Sequence, residues 1–103
     1  MDVTSSTPQL TIRQRATTLA WQLVRTTRLS FKQAQAQAWA TVRLLNRMEG
    51  GPTEFSYRKD DRSYRLAIGE RPSTDAEKPF LIRYFDVEAG AIRSFRVDRL
   101  VIA

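Results

Sequence analysis

The stretch Asn46-Arg47-Met48-Glu49-Gly50-Gly51-Pro52-Thr53-Glu54-Phe55-Ser56-Tyr57-Arg58 contains the point at which this chain changes period. Before it, apolar residues recur every three or four positions, as one face of a helix requires. After it they alternate with polar ones, as a strand with one buried face requires. Gly50-Gly51-Pro52 lies between the two patterns, with glycine available for a left-handed cap and proline unable to continue a helix. A helical half followed by a stranded half is the first structural statement the chain makes.

Upstream of this boundary, Phe31, Ala34, Ala38, Val42 and Leu45 form the stripe of a helix that runs to about Met48. Ser30 and Gln33 open it with the spacing of a capping box. Thr27-Arg28-Leu29 is a short connection. An earlier helix, Thr11 to about Thr26, carries Ile12, Ala16, Leu19, Ala20, Leu23 and Val24 on one face, with Thr11 and Gln14 as its own capping box. So short a loop makes the two helices antiparallel or steeply crossed neighbours. Ala20-Trp21-Gln22-Leu23-Val24-Arg25 is echoed by Ala38-Trp39-Ala40-Thr41-Val42-Arg43, which reads as two helices solving one packing problem.

Downstream, Glu54 to Arg58 alternates, Lys59-Asp60-Asp61-Arg62 turns, and Tyr64, Leu66 and Ile68 alternate with Arg65, Ala67 and Gly69. Glu70 to Pro79 is the longest loop. Phe80 to Asp86 is an apolar strand, Val87 to Gly90 a hairpin turn with Gly90 suited to a left-handed position, and Ala91 to Phe95 a fourth strand. Arg96 to Asp98 forms a tight turn before a fifth strand, Arg99 to Ile102. Five short strands that close on one another would remove open edges. The expected architecture is therefore α+β, a two-helix hairpin packed on a five-stranded β-barrel. Residues 1–10 are expected as a disordered tail, 11–49 as the hairpin and 50–103 as the barrel, with 11–103 one folded unit.

Composition narrows the chemistry. Of 103 residues 42% are hydrophobic, enough for one packed core. Cysteine and histidine are both absent. That excludes thiolate nucleophiles, zinc–thiolate sites, disulfides and imidazole general bases. Carboxylate chemistry stays formally open, yet no spacing selects a catalytic set, so the expectation is a non-enzymatic protein without cofactor or metal. Met1 to Pro8 lacks a basic leader and an apolar run, and the longest apolar run is Leu100 to Ala103. Neither a signal peptide nor a membrane span is expected, and a cytoplasmic location follows as an expectation.

The net charge of +6 is unevenly placed. Gln9 to Met48 holds seven bases (Arg13, Arg15, Arg25, Arg28, Lys32, Arg43, Arg47) and no acid, whereas from Glu49 onward ten bases meet ten acids. Such asymmetry concerns partners rather than fold.

The segment Ile92-Arg93-Ser94-Phe95-Arg96-Val97-Asp98-Arg99-Leu100, preceded by Ile82-Arg83-Tyr84-Phe85-Asp86, resembles the end of WYL-type domains, whose Sm-like or SH3-like barrel finishes on a similar Arg-x-Phe-Arg-x-Asp-Arg-aliphatic motif. With Ala20-Trp21 and Ala38-Trp39 ahead of it, the chain is similar over about residues 15–102 to small bacterial, phage and mobile-element proteins of that kind, many without an assigned activity. Arg83-Tyr84-Phe85 stands where the larger group has Trp-Tyr-Leu. The resemblance implies an SH3-like (Sm-like) barrel that binds nucleic acid or nucleotides through polar barrel residues. It places Arg93, Arg96 and Arg99 as ligand-binding candidates, with Phe95 and Asp98 in support.

From the residues themselves, Lys32, Arg43 and Arg47 fall on one side of the second helix with Trp39 at its border. Trp21 and Arg25 lie one turn apart on the first helix, opposite its apolar stripe, and Arg28 extends that line. Guanidinium groups deliver planar multi-donor contacts to phosphate, and a neighbouring aromatic ring stacks a base or holds an arginine. The alternative for the tryptophans is packing against the barrel. For Arg93, Arg96 and Arg99 it is ion pairing with Asp86, Glu88 and Asp98, and for Asp60-Asp61 it is turn chemistry. Lys32, Gln33 and Gln35 after a short turn also admit a DNA-reading helix-turn-helix. The expected function is a nucleic-acid or nucleotide-binding regulatory module using Arg25, Arg28, Lys32, Trp39, Arg43 and Arg47. A module for protein interaction or oligomerisation that docks an acidic partner is the alternative.

Overall fold

A computed structural model describes residues 11–72 and 80–102. The expected N-terminal tail lies outside the described residues, as does most of the loop expected over Glu70 to Pro79. In chain order the elements are α1 (Ile12–Thr26), α2 (Phe31–Glu49), β1 (Thr53–Arg58), β2 (Tyr64–Glu70), β3 (Leu81–Asp86), β4 (Ala91–Arg96) and a single 3-10 turn (Val97–Arg99).

Both helices begin as the capping boxes predict. The Thr11 hydroxyl accepts from the Gln14 backbone N–H while the Gln14 carboxamide accepts from that of Thr11, and Ser30 and Gln33 repeat the exchange. This satisfies backbone donors that a helix start otherwise leaves open. It also spends Gln33, one of the three side chains a DNA-reading helix would need. α2 ends at Gly50, and Gly51 takes a φ of 140°, where a side chain is disfavoured.

The helices meet along a seam of Ala16, Ala20, Ala34 and Ala38, all buried, flanked by Leu19, Leu23 and Val42. Methyl side chains let the two backbones approach closely. The alanines that open the two copies of the sequence echo, Ala20 and Ala38, both lie in this seam. Val97, from the 3-10 turn, inserts into the same cluster. The Gln37 amide fixes it there, donating to the Val97 carbonyl at 2.8 Å and the Leu100 carbonyl at 3.0 Å.

The sheet is antiparallel in the order β1-β2-β3-β4. Six residue pairs join β1 to β2 and six join β3 to β4, but only Gly69↔Asp86 and Glu70↔Phe85 join β2 to β3. Two hairpins thus share one corner. The alternation in β2 resolves with its small residues inward: Ala67 and Gly69 are buried while Tyr64 and Leu66 are 68% and 66% exposed. The reason is the ring that crosses them. A Cβ on Gly69 would stand 2.7 Å from Cδ2 of Tyr84, so only glycine admits that ring.

Phe55, Tyr57, Tyr84 and Phe95 form the second core, with Leu44 and Met48 of α2 beneath them. Phe55 meets Tyr84 edge-on at 5.0 Å and Tyr57 stacks on Phe95 at 5.2 Å. Such pairs add about 0.5–1.5 kcal/mol each beyond burial. The Tyr57 and Tyr84 hydroxyls pair at 2.9 Å, so neither buried oxygen lacks a partner. Burial, then the bond to Tyr57, raises the Tyr84 phenol well above its ordinary range. Tyr84, the middle residue of Arg83-Tyr84-Phe85, is thus a core side chain.

The expected five-stranded closed barrel is not formed. The described residues give four strands in an open sheet, and the helices followed by an α+β arrangement are as expected. The last segment fails as a strand because the 3-10 turn takes up Val97 to Arg99. Beyond that turn the chain makes one bridge, Tyr57↔Leu100, and one further bond, from the Val101 N–H to the Ser56 carbonyl at 2.9 Å. Val101 and Ile102 are exposed, with no second layer over them among the described residues. β4 therefore keeps an edge without a strand partner among the described residues.

Candidate anion-binding surfaces

The β1–β2 connection is a tight loop closed by the Lys59 N–H on the Ser63 carbonyl at 2.7 Å and the Arg62 N–H on the Lys59 carbonyl at 3.0 Å. Arg62 takes a φ of 72°, a left-handed position that costs a side-chain-bearing residue about 1–2 kcal/mol. Asp61 serves the turn. Its Oδ1 accepts from the Ser63 hydroxyl at 2.5 Å and backbone N–H at 3.0 Å, and the hydroxyl bond above all holds its carboxyl below the usual range. Asp60 instead pairs with Arg99, 39 residues away.

At the β3–β4 turn, Asp86 accepts from the N–H groups of Glu88 and Ala89, each at 3.0 Å, and from Nε of Arg93 at 3.0 Å. The Ala89 N–H is the largest cause of a carboxyl held below its ordinary value. The Glu88 N–H and Arg93 add to it, and burial works against it. Gly90 occupies the left-handed position at φ 68°.

The three arginines of the C-terminal motif each have a carboxylate: Arg93 has Asp86, Arg96 has Asp98 at 3.0 Å, and Arg99 has Asp60. Arg96 also lies over the Phe80 ring at 5.7 Å. Glu88, anticipated as a partner, takes no part in these pairs among the described residues.

All three line an open cleft of about 710 Å³ between the β1–β2 turn and the free edge of β4. Arg58, Lys59 and Arg65 join them, and the lining acids are Asp60 and Asp61. Arg58, Lys59 and Arg65 are not among the residues expected from the sequence. The signal available was the turn itself, since a fixed turn sets the register and places Arg58 and Arg65 on the two strands beside it. Nor is Gln37, which anchors the turn that carries Arg96 and Arg99, among the expected residues.

The helical cations are exposed, and among the described residues Arg25, Arg28, Lys32, Arg43 and Arg47 have no carboxylate partner. They do not form one patch. Lys32 and Arg47 are fifteen residues apart on α2, about 22 Å at the helical rise. Arg25, Arg28 and Lys32 gather at the loop end of the hairpin. Arg43 and Arg47 line a groove of about 350 Å³ against β1 and Leu100 to Ile102. Trp39 is half-buried at the edge of the helical core with the Arg43 guanidinium 5.1 Å above its ring, so one face of that ring is already occupied. Among the described residues no three carboxylates gather as a metal site needs, and no helix is long and apolar enough to cross a membrane.

The profile of the WYL_2 family, an Sm-like SH3 beta-barrel fold, matches residues 41–101, more than half the chain and all four strands. This chain belongs to the WYL_2 family. The match takes in the end of α2 and leaves α1 and the hairpin loop outside it. In this WYL_2 member the strand that would close the barrel is reduced to the Leu100 bridge. Neither the curated proteins nor the solved structures give a match.

Proposed function

We propose that this WYL_2 protein is a non-catalytic module that binds nucleic acid or nucleotides through phosphate. The observation that carries this reading is a difference in neutralisation. Among the described residues Arg25, Arg28, Lys32, Arg43 and Arg47 have no carboxylate partner, whereas Arg93, Arg96 and Arg99 are each paired. An unpaired exposed cation exchanges its counterion for a phosphate at little cost, and the released counterion drives binding. Arg43 and Arg47 are the core of the surface, with Arg43 steadied over Trp39. Arg93, Arg96 and Arg99 contribute guanidinium N–H groups that their carboxylates leave unused.

A labelled oligonucleotide titrated in ~50 mM salt, where phosphate contacts are least screened, is expected to bind in the micromolar range and to weaken steeply as salt rises. Arg43→Glu with Arg47→Glu should abolish binding with an unchanged circular dichroism spectrum. Absence of wild-type binding at low salt would end the proposal. The second reading, an acidic protein partner, is favoured by the β4 edge within the basic cleft, which has no strand partner among the described residues. It predicts a defined oligomer or complex in light scattering and no oligonucleotide binding.

A further inference from the structure

Trp21 of α1 and Phe31 at the start of α2 lie with ring centroids 4.7 Å apart and planes tilted by 40°. They are 48% and 39% exposed, and neither belongs to or borders the two core clusters. Their counterpart in the sequence echo behaves differently, since Trp39 borders the helical core and is capped by Arg43. Trp21 and Phe31 sit at the loop end of the hairpin, amid Arg25 one turn beyond Trp21, Arg28 in the connection and Lys32 next to Phe31. All three cations are exposed and have no carboxylate partner among the described residues.

We infer that Trp21 and Phe31 form a stacking platform for unpaired bases, so that the ligand of this surface is single-stranded nucleic acid. The inference rests on the phosphate-binding reading above and adds its substrate class. Cations alone attract any polyphosphate. An exposed aromatic face among them adds an attraction that a duplex cannot use, because its bases already stack on one another. The ring faces are sequence-tolerant, so the surface selects strandedness and not a base. Stacking is also less sensitive to salt than phosphate contact, so the preference persists as overall affinity falls.

The test uses the full chain and four probes with equal numbers of phosphates: oligothymidylate, oligouridylate, an abasic strand and a duplex. Wild type is expected to bind the two base-bearing strands about 5- to 150-fold tighter than the abasic strand, the range for one stacked base. Trp21→Leu with Phe31→Leu, which keeps apolar bulk but removes the π faces, should lower both to the abasic level and leave abasic and duplex binding unchanged. Trp21→Phe should retain most of the preference. Equal wild-type affinity for oligothymidylate and the abasic strand, tighter duplex binding, or a uniform loss on all probes in the leucine variant would each overturn the platform while leaving phosphate binding in place. Absence of binding to every probe would instead remove the phosphate-binding reading itself.

Discussion

Between α1 and α2 four of the buried side chains are alanine, and the exposed ones include five cations with no carboxylate partner among the described residues, whereas under the sheet four aromatic rings are buried and the C-terminal arginines are matched to carboxylates. The two halves hold together by different means. Alanines bring helix backbones close, with many small contacts and little tolerance for added volume. Four aromatic rings fill the space that the twisted hairpins leave and set the position of the corner through Gly69. Charge follows the same division. Turns that need carboxylates as backbone caps also bring acids near arginines, and the hairpin of capped helices offers only Glu49, the last residue of α2. The helical cations thereby stay without carboxylate partners among the described residues, which is what the proposed phosphate-binding role draws on.

The largest effect that would test this contrast lies in the aromatic core. Tyr84→Ala is expected to cost about 3–5 kcal/mol in urea unfolding, in the range of large aromatic truncations, with the Tyr57 hydroxyl left unpartnered. A much smaller loss would mean that the rings are not what holds the hairpins together. For the alanine seam the informative change adds volume: Ala38→Leu should destabilise by about 1–3 kcal/mol. A neutral result would show the helices to be loosely apposed.

The smallest effect concerns the paired charges. The folded-state value of Asp86 is depressed, so its contribution is present above the unfolded aspartate value of ~3.9 and is lost as pH falls through the lower folded value. Thermal midpoints of the wild type should decline on acidification below about pH 4, and Asp86→Asn should decline less. Parallel curves for the two proteins would remove the sheet's carboxylate caps from the comparison.

Thr11, Gln14, Ser30 and Gln33 were found because a cap is local chemistry completed within one turn of sequence. Gly90 was found for a similar reason, as a left-handed turn position excludes most alternatives. The inward face of β2 was not legible, because Tyr64, Leu66 and Ile68 look like a core face until Tyr84 is known to lie across Gly69. The fifth strand was overread. Arg99 to Ile102 has strand composition, but the turn that ends at Arg99 leaves it one bridge among the described residues. Of the candidate cations, the charge count located the helical set and could not tell that it divides into one group at the loop end of the hairpin and another near the end of α2.

By itself the amino-acid order determined the two helices and their ends, the change of period at Gly50-Gly51-Pro52, the absence of imidazole and thiol chemistry, and the surplus of cations in the first half. All of these are short-range or compositional properties. Only the tertiary structure decided which face of β2 turns inward, that the sheet stays open, that Arg99 meets Asp60, and that Trp21 stands clear of both cores while Trp39 borders one. Those outcomes depend on contacts between residues distant in sequence, where the shape of one side chain selects the place of another.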